Sequence, residues 1–115
     1  MTENHKIGFT DHGGTSILQC PRCGSDYLHQ GDATFYERDE DAPQTVEISV
    51  KNRAVDIAIV ASEDSANPSG RRHGFTMRFH CEGCSSYNEE TGEREYDIEF
   101  QIAQHKGSTL VNWSY

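Results

Sequence analysis

The four cysteines of this chain stand as two Cys-x-x-Cys pairs, Cys20-Pro21-Arg22-Cys23 and Cys81-Glu82-Gly83-Cys84. Thiols at this spacing are the donor set of a structural metal site. Zn²⁺ takes four soft ligands tetrahedrally, and two short turns supply them with little strain. Pro21 fixes φ behind the first ligand, and Gly24 can take the left-handed conformation that closes the turn. Gly83 and the small pair Ser85-Ser86 allow a similar turn at the second site. Cys20, Cys23, Cys81 and Cys84 are therefore the expected ligands of one structural Zn²⁺.

Three rival chemistries use the same residue types. A thioredoxin-like redox pair caps a helix whose N-terminus lowers the first thiol's pKa. Gly24-Ser25-Asp26-Tyr27-Leu28 begins no amphipathic helix, and one Cys-x-x-Cys would be left over. Catalytic zinc needs an open coordination position, which four thiolates would fill. Two disulfides would suit an exported chain, but Met1-Thr2-Glu3-Asn4-His5-Lys6 opens without an apolar signal segment and no apolar run approaches membrane-spanning length. The expected setting is the cytoplasm. His80, beside Cys81, is expected as an outward strand residue or a contact behind the site, with ligation the lesser alternative. His29, His73 and His105 have no partner at ligand spacing. No catalytic constellation stands out, so no enzyme activity is expected.

The two knuckles resemble the zinc-ribbon superfamily, in which cysteine knuckles on β-hairpin tips clamp one zinc. The resemblance carries over the four cysteines as ligands and Gly24 as the turn glycine. Fifty-seven residues separate Cys23 from Cys81, so it implies a sheet insertion between the knuckles. Arg71-Arg72-His73-Gly74-Phe75 before the second knuckle and Gln104-His105-Lys106-Gly107-Ser108-Thr109 after it look like small zinc-ribbon proteins of actinobacteria and their phages. That likeness implies a phage or prophage modulator of a host factor, placed in the host cytoplasm.

Strands must position these knuckles, since no window carries a helical stripe. Residues 1–15 are polar and read as a flexible arm before a single β domain over 16–115. Ser16–Gln19 leads into the first knuckle, and 26–30 and 33–38 read as strand material around Gly31-Asp32. Val46, Ile48 and Val50 alternate in one run and Val55, Ile57 and Ile59 in the next, with Lys51-Asn52-Arg53 between, which predicts a long β-hairpin. Residues 62–74 read as an exposed loop. Phe75, Met77 and Phe79 run into the second knuckle. Tyr96, Ile98, Phe100 and Ile102 alternate cleanly, 104–108 reads as a turn, and 109–115 as a last strand. The expected fold is all-β: zinc-ribbon-like antiparallel sheet, with that hairpin inserted between the knuckles and little or no helix.

Composition bounds the rest. At 115 residues with 34% hydrophobic content the chain is one domain with a lean core, for which a metal staple matters. The net charge is −9, and four thiolates around one Zn²⁺ add two further negative charges. Such a field disfavours nonspecific nucleic-acid binding. Arg71, Arg72 and Arg78 form the one concentrated basic patch; they are candidates for gripping an acidic group or, more blandly, for neutralising the chain's own carboxylates. Trp113 and Tyr115 are candidates for a binding surface or for completing the core. The first expectation is a non-enzymatic zinc-binding adaptor or regulator that binds another protein. The alternative is a nucleic-acid-binding zinc ribbon acting in transcription, using Arg22 and the basic patch.

Overall fold

Period-2 alternation is the dominant local signal, and it becomes strand nearly throughout. The computed structural model describes residues 2–3 and 7–115. Its elements are β1 (Thr2–Glu3), β2 (Phe9–His12), β3 (Thr15–Leu18), β4 (Leu28–Glu37), β5 (Gln44–Lys51), β6 (Ala54–Ala61), β7 (Gly74–Cys81), β8 (Ile98–His105) and β9 (Ser108–Ser114), with a 3-10 turn at Ser62–Asp64. The fold is all-β and antiparallel, and no α-helix occurs among the described residues. Among the described residues no helix is long and apolar enough to cross a membrane. Seven strands form one sheet in the order β1-β9-β8-β7-β4-β5-β6, while β2 and β3 form a separate hairpin. Of the arm expected over residues 1–15, residues 1 and 4–6 lie outside the described residues; the rest supplies β1, β2 and the first residue of β3.

The expected central hairpin is β5–β6. Lys51 pairs with Ala54 across Asn52-Arg53, whose φ angles of 50° and 67° give a turn with the twist a two-residue hairpin needs. The strand material on either side of Gly31-Asp32 is one strand, β4, because a bulge between Gln30 and Ala33 absorbs the irregularity against β7. Gly31 is required there: a Cβ would sit 2.5 Å from the Tyr96 ring. Tyr96 itself departs from expectation. It lies outside β8, which starts at Ile98, since its ring closes over Gly31 instead of continuing the ladder. Gln104 and His105 end β8 rather than forming the turn, which tightens to Lys106-Gly107.

Strand register divides the sheet into two unlike faces. Cross-strand pairing aligns Ile57, Ile48, Phe35, Phe75, Ile102 and Val111 in one row, and Phe79, Ile98, Phe100, Met77 and Trp113 on the same side. The opposite side carries polar residues, yet Tyr36, Thr45, Thr76 and His80 are buried there. The 62–73 segment covers it at one end through Ser62, which donates to the Ala42 carbonyl and bonds the Thr45 hydroxyl at 2.8 Å, and through Ser65 donating to Glu47 at 2.7 Å. On the apolar side the packed core is confined to the knuckle end: Cys20, Phe79, Cys81, Ile98 and Trp113, flanked by Ile7, Leu18, Leu28, Met77, Phe100 and Tyr115. The Trp113 ring meets Phe100 edge-on at 5.0 Å and Phe79 at 5.8 Å.

The 62–73 segment docks where β7 begins, and Gly74 makes that possible. A Cβ there would collide with the Asn67 side chain and lie 2.8 Å from Pro68 Cδ. Gly74→Ala is expected to cost about 1–3 kcal/mol by overpacking, read as a lower urea midpoint at unchanged slope. A midpoint equal to wild type would show that the segment does not hold this position.

Candidate metal centre

Register brings the two knuckles together. β4 and β7 are antiparallel neighbours with Leu28 opposite Cys81, so the chain leaving the first knuckle runs beside the chain entering the second. Glu82 N–H bonds the Tyr27 carbonyl at 3.0 Å and extends that pairing into the knuckles. Each turn closes alike: Gly24 N–H donates to the Cys20 carbonyl and Ser85 N–H to the Cys81 carbonyl, both at 2.9 Å. Gly24 takes φ 78°, as the turn requires. The β2–β3 hairpin is tied to the same corner, with Gln19 Nε2 donating to Thr10 Oγ1 and Thr10 Oγ1 to Asp26, each at 2.7 Å.

All four cysteines are free thiols, and their sulfurs lie within 4.8 Å of one another. Cys20 and Cys84 are 3.6 Å apart and Cys23 and Cys81 3.5 Å. A tetrahedral shell with metal–sulfur bonds of about 2.3 Å has edges of roughly 3.8 Å. The donor set therefore fits one metal ion held by sulfur alone, the geometry that suits zinc or iron. Cys20 and Cys81 are buried core members, while Cys23 and Cys84 lie at the surface.

Behind the sulfurs stands a polar network that no motif or spacing announced. Arg22, between the ligands of the first knuckle, donates from Nε to Cys84 Sγ at 3.3 Å and from its other nitrogens to Asp97 at 3.0 and 3.3 Å and Ser85 Oγ at 3.2 Å. Ser85 Oγ in turn donates to Asp97 at 2.6 Å and accepts the Cys81 N–H at 2.9 Å. One guanidinium thus ties the first knuckle to the second and to the chain just before β8. Burial would raise the Asp97 carboxyl, but the Ser85 hydroxyl and Arg22 hold it below the ordinary carboxylate range.

The thiols divide their protons unequally in the metal-free protein. Burial would raise Cys81, but the Cys23 thiol and the Gly83 N–H outweigh it and lower it to about 7. Burial pushes Cys84 up to about 12, against the Arg22 hydrogen bond, and raises Cys20 as well. Cys81 is thus placed to surrender its proton before Cys20 and Cys84.

Among the described residues, none of the remaining candidates joins the cluster of ligating atoms. His80 is fully buried on the polar side of β7, not outward into solvent; its Nδ1–H donates to the Glu95 carbonyl at 2.9 Å and the Tyr87 ring stands edge-on at 4.8 Å. His29 bonds Glu82. Arg71 pairs with Glu40 and Asp41 at 2.9 and 2.8 Å, Arg72 pairs with Glu40, and Arg78 reaches Glu99 at 3.8 Å and the Tyr96 carbonyl at 3.1 Å. The expected basic patch is therefore matched to internal acids. Trp113 is corrected as a binding-surface residue: it is 0% exposed because β9 turns it into the core. Tyr115 is half-buried with the Arg22 guanidinium 5.9 Å from its ring centre.

The chain matches no known protein family, no curated protein and no solved structure.

Residues that orient ligands tune affinity. Arg22→Ala is expected to weaken metal binding about 10–100-fold, measured by competition with a chromophoric chelator. Binding also displaces thiol protons. Proton release per metal, followed by titration in weakly buffered solution, is expected to fall by one as the pH rises through about 7, where Cys81 ionises in the free protein. A constant release across neutrality would contradict that assignment.

Proposed function

We propose that this chain is a non-enzymatic, zinc-binding adaptor or regulator that docks onto another protein. The ion assigned is zinc, which forms closed structural shells of four thiolates. A filled tetrahedral shell leaves no position for water or substrate. The two knuckles at adjoining strand ends agree with the zinc-ribbon resemblance, and a phage or prophage modulator of a host factor is a role this reading suits.

One observation carries the docking reading. The apolar side of the sheet is packed only at the knuckle end, and its other end lies open: Phe35 is 40% exposed, Val50 48%, Ile57 66%. Contiguous apolar surface rimmed by polar groups marks interaction sites. The partner that fits is a protein with an apolar patch inside a basic rim, because this chain carries a net charge of −9. The nucleic-acid alternative gains no support, since Arg22, Arg71, Arg72 and Arg78 are each paired with a carboxylate.

Metal analysis is expected to return one zinc per chain with four thiols protected until a chelator removes the ion. Removal is expected to unfold the domain, since structural zinc contributes roughly 10–16 kcal/mol of apparent binding free energy in small sites. A metal-free preparation with unchanged melting would refute the staple. Capture from host lysate is expected to retain a basic protein at low salt and to lose it on Phe35→Asp. Retention of nothing by the zinc-loaded wild type would sink the adaptor reading. Oligonucleotide anisotropy is expected to show no salt-dependent binding.

A further inference from the structure

The sheet has two ends, and they are finished differently. At one end β1 pairs with β9, opposite Trp113 and Ser114. At the other end β6 is the last strand, and nothing among the described residues pairs with its outer side. β6 runs eight residues, Ala54–Ala61, in unbroken register with β5. It carries no proline, lysine or bulge, and Asp56 is its one charge. Natural edges are normally blunted by such devices; an edge without them is a template for another strand.

We propose that β6 pairs antiparallel with β6 of a second copy, about a twofold axis through Ile57. The register follows from what each strand would meet. Centred on Ile57, Val55 lies opposite Ile59 of the second copy, Ala54 opposite Val60, and Asp56 opposite Ala58. Apolar side chains meet apolar side chains on one face, and the two carboxylates are offset. A centre one residue away, at Asp56, would set two carboxylates directly opposite each other. The same axis sets Arg53, at the end of the β5–β6 turn, opposite Ala61 of the second copy and so nearest to Glu63 and Asp64 in the 3-10 turn that follows it, twice. A surface that complements itself in this way is what an isologous contact requires.

Burial within the sheet shows what β6 lacks. Ile48 has Phe35 on one side and Ile57 on the other and is half-buried. Ile57 has only Ile48, and is 66% exposed; Val55 and Ile59 stand at 69% and 66%. A second β6 gives each of these three its missing neighbour. Repulsion between two chains of net charge −9 is screened beyond about 8 Å at physiological ionic strength, so the local pairing governs contact. The paired sheet would also join two open apolar faces into one platform, whichever protein that platform takes.

Sedimentation equilibrium of the zinc-loaded full chain across the micromolar range tests this. A reversible dimer is expected, weakened about tenfold or more by Ile57→Asp. Arg53→Glu and Glu63→Arg are each expected to weaken it roughly threefold, and the double reversal to restore it. That recovery does not depend on how well Ile57→Asp folds, and zinc content with melting temperature checks each variant. A monomer throughout the range overturns the proposal, as does a dimer indifferent to all of these changes. A monomer that still captures a protein through Phe35 overturns the pairing alone; a dimer that captures nothing overturns the adaptor reading alone.

Discussion

The pairing of β4 with β7 is the constraint on which the rest depends. Those strands are far apart in sequence, and only their register sets Leu28 beside Cys81 and so one knuckle beside the other. Sulfur coordination and strand pairing are then mutually dependent. A metal ion held by the four thiolates would close the loop between the knuckles, and closing it would remove conformational freedom from the unfolded chain that strand pairing alone must otherwise overcome. The small core sits against this corner, where sheet, hairpin and knuckles meet. Cys20 and Cys81 belong to both core and metal site, so loss of either function damages the other.

The sheet buries its polar side and leaves much of its apolar side open, an inversion with a physical cause. The segments 62–73 and 85–97 are polar, and they hydrogen-bond to groups beneath them, as Ser65 does to Glu47 and the Glu95 carbonyl to His80 Nδ1, while His80 Nε2 is left without a partner among the described residues. They contribute little apolar surface. Among the described residues, the short β2–β3 hairpin and the preceding Ile7 pack against the apolar side at the knuckle end. Phe35, Val50 and the β6 row are therefore left for whatever the chain meets in solution.

Charge is arranged locally even though it is unbalanced overall. Arg71 and Arg72 hold Glu40 and Asp41, fixing the 39–43 turn to the 62–73 segment, while Arg22 holds Asp97 beside the sulfurs. Arginine suits these places because its planar fork engages a carboxylate and a second acceptor at once. The surplus negative charge lies elsewhere on the surface. Each such exposed pair adds little stability; its effect is to take the arginines out of competition for an external phosphate.

Cysteine spacing alone disclosed the candidate ligands, because metal donor sets are encoded locally in residue type and short-range separation. Alternation alone disclosed the β class and the β5–β6 hairpin, because side chains in a strand change face at every residue whatever the partner. Tertiary structure decided what depends on neighbours distant in sequence: that Gly31 and Asp32 are a bulge in one strand, that Tyr96 leaves its alternating run to cover Gly31, that His80 and Trp113 are buried, and that the arginines are already paired. Val46 and Val55 carry the same pattern and read alike in sequence; only the strand order makes one half-buried and the other an edge residue 69% exposed. Burial is a property of what lies on both sides of a strand, and no local pattern specifies the far side.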